Sequence, residues 1–230
     1  MHILIAAATA FEIQPTIDYL GNNPTSSVLG ISTLVTGIGT LPATWSLTRR
    51  IGSDRPDLVI QAGIAGAFIP TAQGEVLAIR DETLADLGVW EDRQFKTVFD
   101  LHLANPNLPP FSDGRLINPY QGLLALTGLL PVSGITVNEI TTNPDRIRWY
   151  RDNTAAATES MEGGALHYVC LQEGIPFLQL RSISNAIGIR DKSQWSIPLA
   201  IARLNDHLIR LLEQLKDSDS TILNPTNNAS

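Results

Sequence analysis

A repeated pattern constrains the fold more than any other feature: short apolar runs alternate with segments of helical spacing. The first run, residues 3–8, is apolar throughout, which is typical of a strand buried on both faces, so we expect this strand to be central. Residues 57–62 and 177–185 repeat the pattern, each with a mostly apolar interior. Strands that alternate with helices predict an α/β fold with a mostly parallel, twisted, mixed sheet covered by helices on both faces.

The chain length and composition bound the number of domains. A chain of 230 residues with 43% hydrophobic and 17% charged content can bury one substantial core. We therefore expect a single domain over residues 1–216, followed by a disordered tail over the polar residues 217–230. The one cysteine, Cys170, excludes an intrachain disulfide, and its apolar neighbours predict a buried core thiol.

Charge and hydropathy exclude several classes of partner. The net charge of -7 comes from scattered acids, and no Lys/Arg cluster forms a footprint for nucleic acid. The N-terminus lacks a basic leader region, and no apolar run is long enough to cross a bilayer, so we expect no membrane contact and a soluble, cytoplasmic protein. No Cys/His spacing predicts a metal site.

Polar residues stand where predicted strands end. Glu12 follows the first strand, Glu162 lies in the first turn of a predicted helix with Ser160 as its N-cap, and Asn185 closes a late strand. Ligands of open α/β sheets collect at the carboxyl ends of the strands, so these side chains could converge on one small molecule. The alternative is structural: first-turn acids compensate the helix dipole, and asparagine forms turns.

Two glycine-rich stretches permit close backbone approach. Residues 37–39 (Gly-Ile-Gly) follow a hairpin-like strand at 32–36, and residues 63–66 follow the strand at 57–62. Pro42 stands where a dinucleotide-binding fingerprint would have its third glycine, so the first stretch predicts a tight turn near a ligand and not a dinucleotide cofactor site.

The segment 89–115 is rich in aromatic residues and prolines but has no sustained period. Such a long irregular segment is more often a binding loop or lid than a simple connection. We expect part of it to be covered by a second subunit.

These motifs together resemble those of the purine nucleoside phosphorylase/nucleosidase superfamily. The ordered set is Glu12, residues 37–39, residues 63–66, Ser160-Met161-Glu162 and residues 181–185, and the resemblance extends to about residue 216. Within the superfamily the chain is most similar to the futalosine hydrolases, which are related to methylthioadenosine/adenosylhomocysteine nucleosidases. The resemblance implies a nucleoside phosphorylase-like fold, a homodimer or larger homo-oligomer, and no metal or organic cofactor.

The resemblance also implies a role for each matching residue. Glu162 would accept hydrogen bonds from ribose hydroxyls, Met161 would pack under the sugar, and Glu12 would orient or deprotonate the attacking water. Arg181 and Ser184 would support the loop that carries residue 185. The other residues implied to bind substrate are Ile38, Gly63, Gly66 and Ser160 around the pocket, Val137 against the base and Trp195 near the 5′ substituent.

Asn185 and Ile64 bear on the reaction and the substrate. Adenine-nucleoside members of the family have Asp where this chain has Asn185, and an amide favours a 6-oxopurine because it donates to O6 and accepts from a protonated N7. Ile64 replaces a hydroxyl residue of phosphate sites, which favours water over phosphate, although Arg49, Arg50 or a neighbouring subunit could supply a phosphate ligand. The resemblance thus implies cleavage of futalosine to hypoxanthine on a menaquinone route. The alternatives are a methylthioadenosine/adenosylhomocysteine nucleosidase and a non-catalytic purine-nucleoside binding protein.

Overall fold

The secondary structure alternates as the apolar pattern predicts. The computed structural model describes residues 1–23, 29–92, 94–218 and 220–226. The strands are β1 His2–Ala7, β2 Gly30–Val35, β3 Leu58–Ala67, β4 Val76–Leu84, β5 Gly88–Glu91, β6 Gln94–Thr97, β7 Leu116–Ile117, β8 Pro131–Thr136, β9 Thr158–Ser160 and β10 Phe177–Ala186. The α-helices are α1 Ala10–Asn22, α2 Thr40–Ser53, α3 Gln121–Leu126, α4 Pro144–Thr154, α5 Gly163–Glu173 and α6 Ile197–Lys216.

The main sheet is mixed and mostly parallel, as predicted. Its strand order is β10-β4-β8-β9-β3-β1-β2, with β7 paired to β4. The pairs β1–β2, β1–β3, β3–β10, β4–β8 and β8–β9 are parallel, whereas β4–β10, β3–β9 and β4–β7 are antiparallel. Because β10 pairs with both β3 and β4, the strands β3, β10, β4, β8 and β9 form a closed ring.

Three sequence expectations about individual strands have different outcomes. Strand β1 lies between β2 and β3 with residues 3–7 fully buried, which confirms its interior position. The prediction of a hairpin-like strand at 32–36 is wrong, because α1 carries the chain back across the sheet and β2 pairs parallel to β1. Residues 63–66 lie inside β3 and not in a turn after it, because β3 pairs with β10 as far as Ala67.

Helices cover the sheet in pairs, with α1 packed on α6 and α2 packed on α5. Leucines of α6 join the apolar residues of β1, β3 and β10 in the largest hydrophobic cluster. Cys170 is fully buried in that cluster, which confirms the predicted core thiol, and burial raises the pKa of its thiol group. Among the described residues, no helix is long and apolar enough to cross a membrane.

The segment 89–115 is not a lid over the pocket that contains Glu12, Glu162 and Asn185, because none of its described residues lines that pocket. It begins with the hairpin β5–β6, and its aromatic rings stack within the chain. Phe95 packs edge-on against Trp149 with ring centroids 5.1 Å apart, and Phe99 packs against Phe111 at 5.3 Å. These ring pairs lie within one chain, so the aromatic content of the segment does not by itself require a partner subunit.

The predicted disordered tail is partly wrong. Residues Ser220–Leu223 form a 3-10 helix, and Ile222 and Leu223 pack against the main core. The backbone N–H and the hydroxyl of Thr226 both donate to Pro119 O, at 3.0 and 2.8 Å. Residues 227–230 lie outside the described part of the chain.

Candidate active site

A pocket of about 390 Å³ opens beside the carboxyl ends of β1, β3 and β10. It is lined mainly by apolar side chains, with a few polar groups between them. Of the residues predicted for the site, the lining includes Glu12, Ile38, Gly66, Ser160, Met161, Glu162, Ser184, Asn185 and Trp195. Glu12, Glu162 and Asn185 thus converge on one pocket, and the binding roles of the nine residues stay predictions.

Glu12 is held at the start of α1. Its Oε2 accepts from the backbone N–H of Thr9 at 3.0 Å and from the Thr9 hydroxyl at 3.2 Å. The bond from Thr9 N, together with the bond from the Glu12 backbone N–H to the Thr9 side chain, makes a capping box. Its Oε1 accepts from Ile64 N in β3 at 3.1 Å. The carboxylate thus caps the helix and also joins it to the sheet. Its structural role at the helix start is therefore compatible with its position in the pocket wall.

Glu162 precedes α5 and points towards the turn after β2. Its Oε1 accepts from Gly39 N at 2.8 Å, and its Oε2 lies 3.9 Å from Arg181 Nη2. Burial raises the pKa of Glu162, while Arg181 and the Gly39 N–H lower it and Glu12 raises it further. The predicted N-cap is wrong: Ser160 ends β9, Glu162 is the N-cap residue, and α5 begins at Gly163.

Arg181 is fully buried beneath the pocket and does not line it. It donates to Gln61 Oε1 at 2.8 Å, which fixes the guanidinium behind Glu162. A Cβ at Gly63 would overlap Arg181 Nη1 and come within 2.9 Å of Glu12 Oε1. Gly63 is therefore needed for the approach of Arg181 and Glu12, and its predicted direct contact with substrate is wrong.

Asn185 and Ser184 form the polar part of the wall at the end of β10. The Ser184 hydroxyl donates to Asn185 Oδ1 at 2.8 Å, and Asn185 Nδ2 donates to Ala186 O at 3.0 Å. An amide has two N–H donors and two acceptor lone pairs, so one donor and one acceptor direction of Asn185 remain for a ligand.

The apolar end of the pocket is closed by the loop between β10 and α6. Trp195 lines the pocket and donates from Nε1 to Ile189 O at 2.8 Å, and Arg190 stacks over its ring at 5.7 Å. The loop is anchored at its far end, where Ser196 N donates to Ser184 O at 2.9 Å.

Val137 was predicted to contact the base, and the structure contradicts this. It is buried in a separate apolar cluster with Phe68, Ile135 and Tyr150, and it does not line the pocket. The strand β8 ends at Thr136, and Val137 N donates to Ser160 O at 3.0 Å, so its side chain turns into the core.

The most important residue that the sequence reasoning missed is Glu159. It lines the pocket and is buried, and its Oε1 accepts from Thr141 N at 3.1 Å. Apolar residues missed along the pocket wall include Ile140, Ile187, Ile197 and Ile201. The one sequence signal that could have identified Glu159 is its position directly before the Ser160-Met161-Glu162 motif.

The polar groups of the pocket are suited to an organic molecule. Among the described residues, no group of three or more His, Cys, Asp or Glu side chains is placed to hold a metal ion. Three buried carboxylates, Glu12, Glu159 and Glu162, line this pocket, and such groups stabilise a cationic sugar and activate water.

Comparison with known proteins decides the family. The model of the Phosphorylase superfamily matches residues 27–215. The chain belongs to the phosphorylase superfamily. Its curated relatives include the futalosine hydrolase of Streptomyces coelicolor, which is 34% identical over 163 residues covering 70% of this chain and 67% of that protein. The 5′-methylthioadenosine/S-adenosylhomocysteine nucleosidase of Geobacillus kaustophilus is 31% identical over 67% of this chain and 66% of that protein.

A solved structure confirms the fold. The structure of a futalosine hydrolase mutant from Helicobacter pylori aligns with a TM-score of 0.79 at 18% identity, over 93% of this chain and 99% of that one. The predicted nucleoside phosphorylase-like α/β fold is thus confirmed. Since the curated relatives of both kinds cleave N-glycosidic bonds, the chain is a hydrolase of the nucleosidase type.

Proposed function

We propose that this enzyme is a futalosine hydrolase. Water would attack C1′ of the ribose, the bond from C1′ to the purine nitrogen would break, and the purine would leave with that electron pair and take up a proton. The products would be hypoxanthine and dehypoxanthine futalosine, in the route to menaquinone. The relatives at 34% and 29% identity in Streptomyces coelicolor and Thermus thermophilus support this substrate.

The observation that carries the proposal is Asn185 in the pocket wall. After its bonds to Ser184 and Ala186, its amide keeps one N–H and one lone pair. These would donate to O6 of hypoxanthine and accept from a protonated N7. Adenine would oppose the amide donor with its own 6-amino group, and each buried unpaired donor costs about 1–3 kcal/mol.

Two of the pocket carboxylates, Glu162 and Glu12, take complementary roles in this proposal. Glu162 would bind the ribose hydroxyls, with Met161 beside it under the sugar, and would stabilise the positive charge that develops at C1′. Glu12 would orient and deprotonate water. Arg181 lies behind Glu162 and would hold its carboxylate in place without contacting the substrate.

None of the described residues that line the pocket carries a cationic side chain, which favours hydrolysis over phosphorolysis. Arg49, which could have served phosphate, stacks over Trp45 at 5.2 Å. Arg50 pairs with Asp54 at 3.0 Å. Ile64 presents an apolar side chain to the pocket where a phosphate site would place a hydroxyl.

Product analysis tests the proposal directly. Incubated with futalosine and with methylthioadenosine, the enzyme should release hypoxanthine from the first much faster than adenine from the second, as measured by chromatography. Asn185→Asp should lower the ratio of kcat/KM for futalosine over its 6-amino counterpart by roughly tenfold or more. Preferential release of adenine would indicate the methylthioadenosine/adenosylhomocysteine nucleosidase instead. Release of neither base would indicate a binding protein.

A further inference from the structure

Three residues on adjacent strands form one row across the pocket. Gly66 in β3 pairs with Glu159 in β9 on one side and with Asn185 in β10 on the other. Directly paired residues point their side chains to the same face of a sheet, so Glu159 and Asn185 flank the position of Gly66. Two strand spacings separate their backbones by about 10 Å, which leaves room for one flat ring between the side chains.

The surface between the two polar side chains is apolar. Gly66 has no side chain, and Ile187 occupies the space that a Cβ there would need. Both residues line the pocket. An apolar floor with an amide at one edge and a carboxyl group at the other is a suitable surface for a purine.

One oxygen of Glu159 has no bond in the described chain. Oε1 accepts from Thr141 N at 3.1 Å, whereas the buried Oε2 has no hydrogen-bond partner. Burial raises the pKa of Glu159, and the nearby Asp86 carboxylate raises it further, while the bonds from Thr141 lower it. A buried, unpartnered acceptor is costly, so a ligand that donates to Oε2 would be stabilised there.

We infer that Glu159 is a specificity-determining residue that accepts a hydrogen bond from N1–H of a 6-oxopurine. This inference rests on the proposed function and deepens it. With O6 and N7 directed at Asn185, the N1–H group of hypoxanthine lies on the far side of O6 and faces Glu159. Adenine has no hydrogen on N1, so its lone pair would oppose the carboxylate. Asn185 and Glu159 thus select the 6-oxo base at two separate edges.

The variant Glu159→Gln separates this role from a structural one. Thr141 N requires an oxygen, so the amide oxygen should take the Oε1 place and the amide NH₂ the Oε2 place. That NH₂ group opposes N1–H of hypoxanthine but donates to N1 of adenine. We expect kcat/KM for futalosine to fall about tenfold or more, and kcat/KM for its 6-amino counterpart to rise.

A matched control is Glu139→Gln. Glu139 lies in the loop between β8 and α4, and its exposed carboxylate pairs with Arg146. The control variant should leave the ratio of the two kcat/KM values unchanged. Calorimetry with free hypoxanthine and adenine gives a second measurement, which should show the same reversal of preference for Glu159→Gln even at low turnover.

The outcomes separate the two proposals. Suppose that the native enzyme releases hypoxanthine from futalosine, but Glu159→Gln changes neither the ratio of the two kcat/KM values nor the calorimetric preference between the free bases. Then only the role of Glu159 is overturned. Equal loss with both substrates also overturns it, because a folding defect does not distinguish the bases. If the native enzyme prefers adenine, the proposed function fails and this inference fails with it.

Discussion

At the scale of single residues, Glu12 combines two roles that mutation can separate. Glu12→Gln keeps an oxygen for one of the donors Thr9 N and Ile64 N but loses the charge that a general base needs. We expect turnover at saturating substrate to fall by about 10²- to 10⁴-fold. Weakening of the cap should cost only about 0.5–2 kcal/mol of stability. Steady-state kinetics and thermal unfolding, measured on the same preparation, check both expectations.

The control for Glu12 is Glu91→Gln, an exposed acid in the β5–β6 hairpin, which should change neither quantity. Near-normal turnover of Glu12→Gln would leave Glu12 with its capping role alone.

At the scale of elements, the start of α5 is held by a buried acid outside the pocket. Glu82 in β4 accepts from the Thr136 hydroxyl at 2.9 Å and from Gln179 Nε2 at 2.8 Å. Thr136 Oγ1 also accepts from Gly164 N at 2.7 Å, so these groups fix the helix turn that follows Glu162. Burial raises the pKa of Glu82 from 4.5 to about 7, although its bond from Gln179 and the Arg181 charge lower it.

This pKa predicts a pH dependence of stability. Between pH 4.5 and about 7, folded Glu82 retains a proton that the unfolded chain has released. The free energy of unfolding should therefore fall as pH rises through that window, by on the order of 3 kcal/mol from this group. Glu82→Gln should lose this component, because an amide does not titrate there. Gln179 can flip to match the new amide, since its Oε1 has no partner among the described residues.

Urea unfolding of the native chain and of Glu82→Gln from pH 5 to pH 8 measures the difference. Subtraction of the two curves cancels the contributions of other titrating groups. Parallel curves would show that Glu82 is ionised throughout this range in the folded state, as it is in the unfolded chain.

The sequence predicted those parts of the site that follow a strand with a clear apolar run. Glu12 and Asn185 are of this kind, since burial of β1 and β10 makes their ends recognisable. Glu159 was missed because β9 has only three residues, too few to show a period. Val137 was misplaced because the resemblance carries over a sequence position but not the direction of its side chain, which tertiary packing decides.

The closed ring of strands could not be predicted for a related reason. It depends on β10 pairing with β3 on one edge and β4 on the other, two strands far away in sequence. Local hydrophobic patterns report burial of a strand but not the identity of its neighbours. The pairing that places Asn185 opposite Gly66 is therefore a property of the fold and not of any motif.

At the scale of the whole molecule, exposed apolar side chains extend from the pocket onto α2. Leu41 and Trp45 lie four residues apart on one face of α2 and are 80% and 61% exposed. Phe11 and Ile38 line the pocket and are also largely exposed. A symmetric dimer would cover this face once in each subunit, next to both pockets. We therefore predict a homodimer through α2, and not through the segment 89–115.

Light scattering at micromolar concentration should give the mass of a dimer for the native chain. The double variant Leu41→Lys/Trp45→Lys should give a monomer, because two charges in an apolar interface are costly to bury. Leu103→Lys is the matched control: Leu103 is 75% exposed in the segment 89–115, and its replacement should leave the dimer intact. A native monomer would refute the dimer. Dissociation by Leu103→Lys, with none by the α2 variant, would move the interface to the segment 89–115.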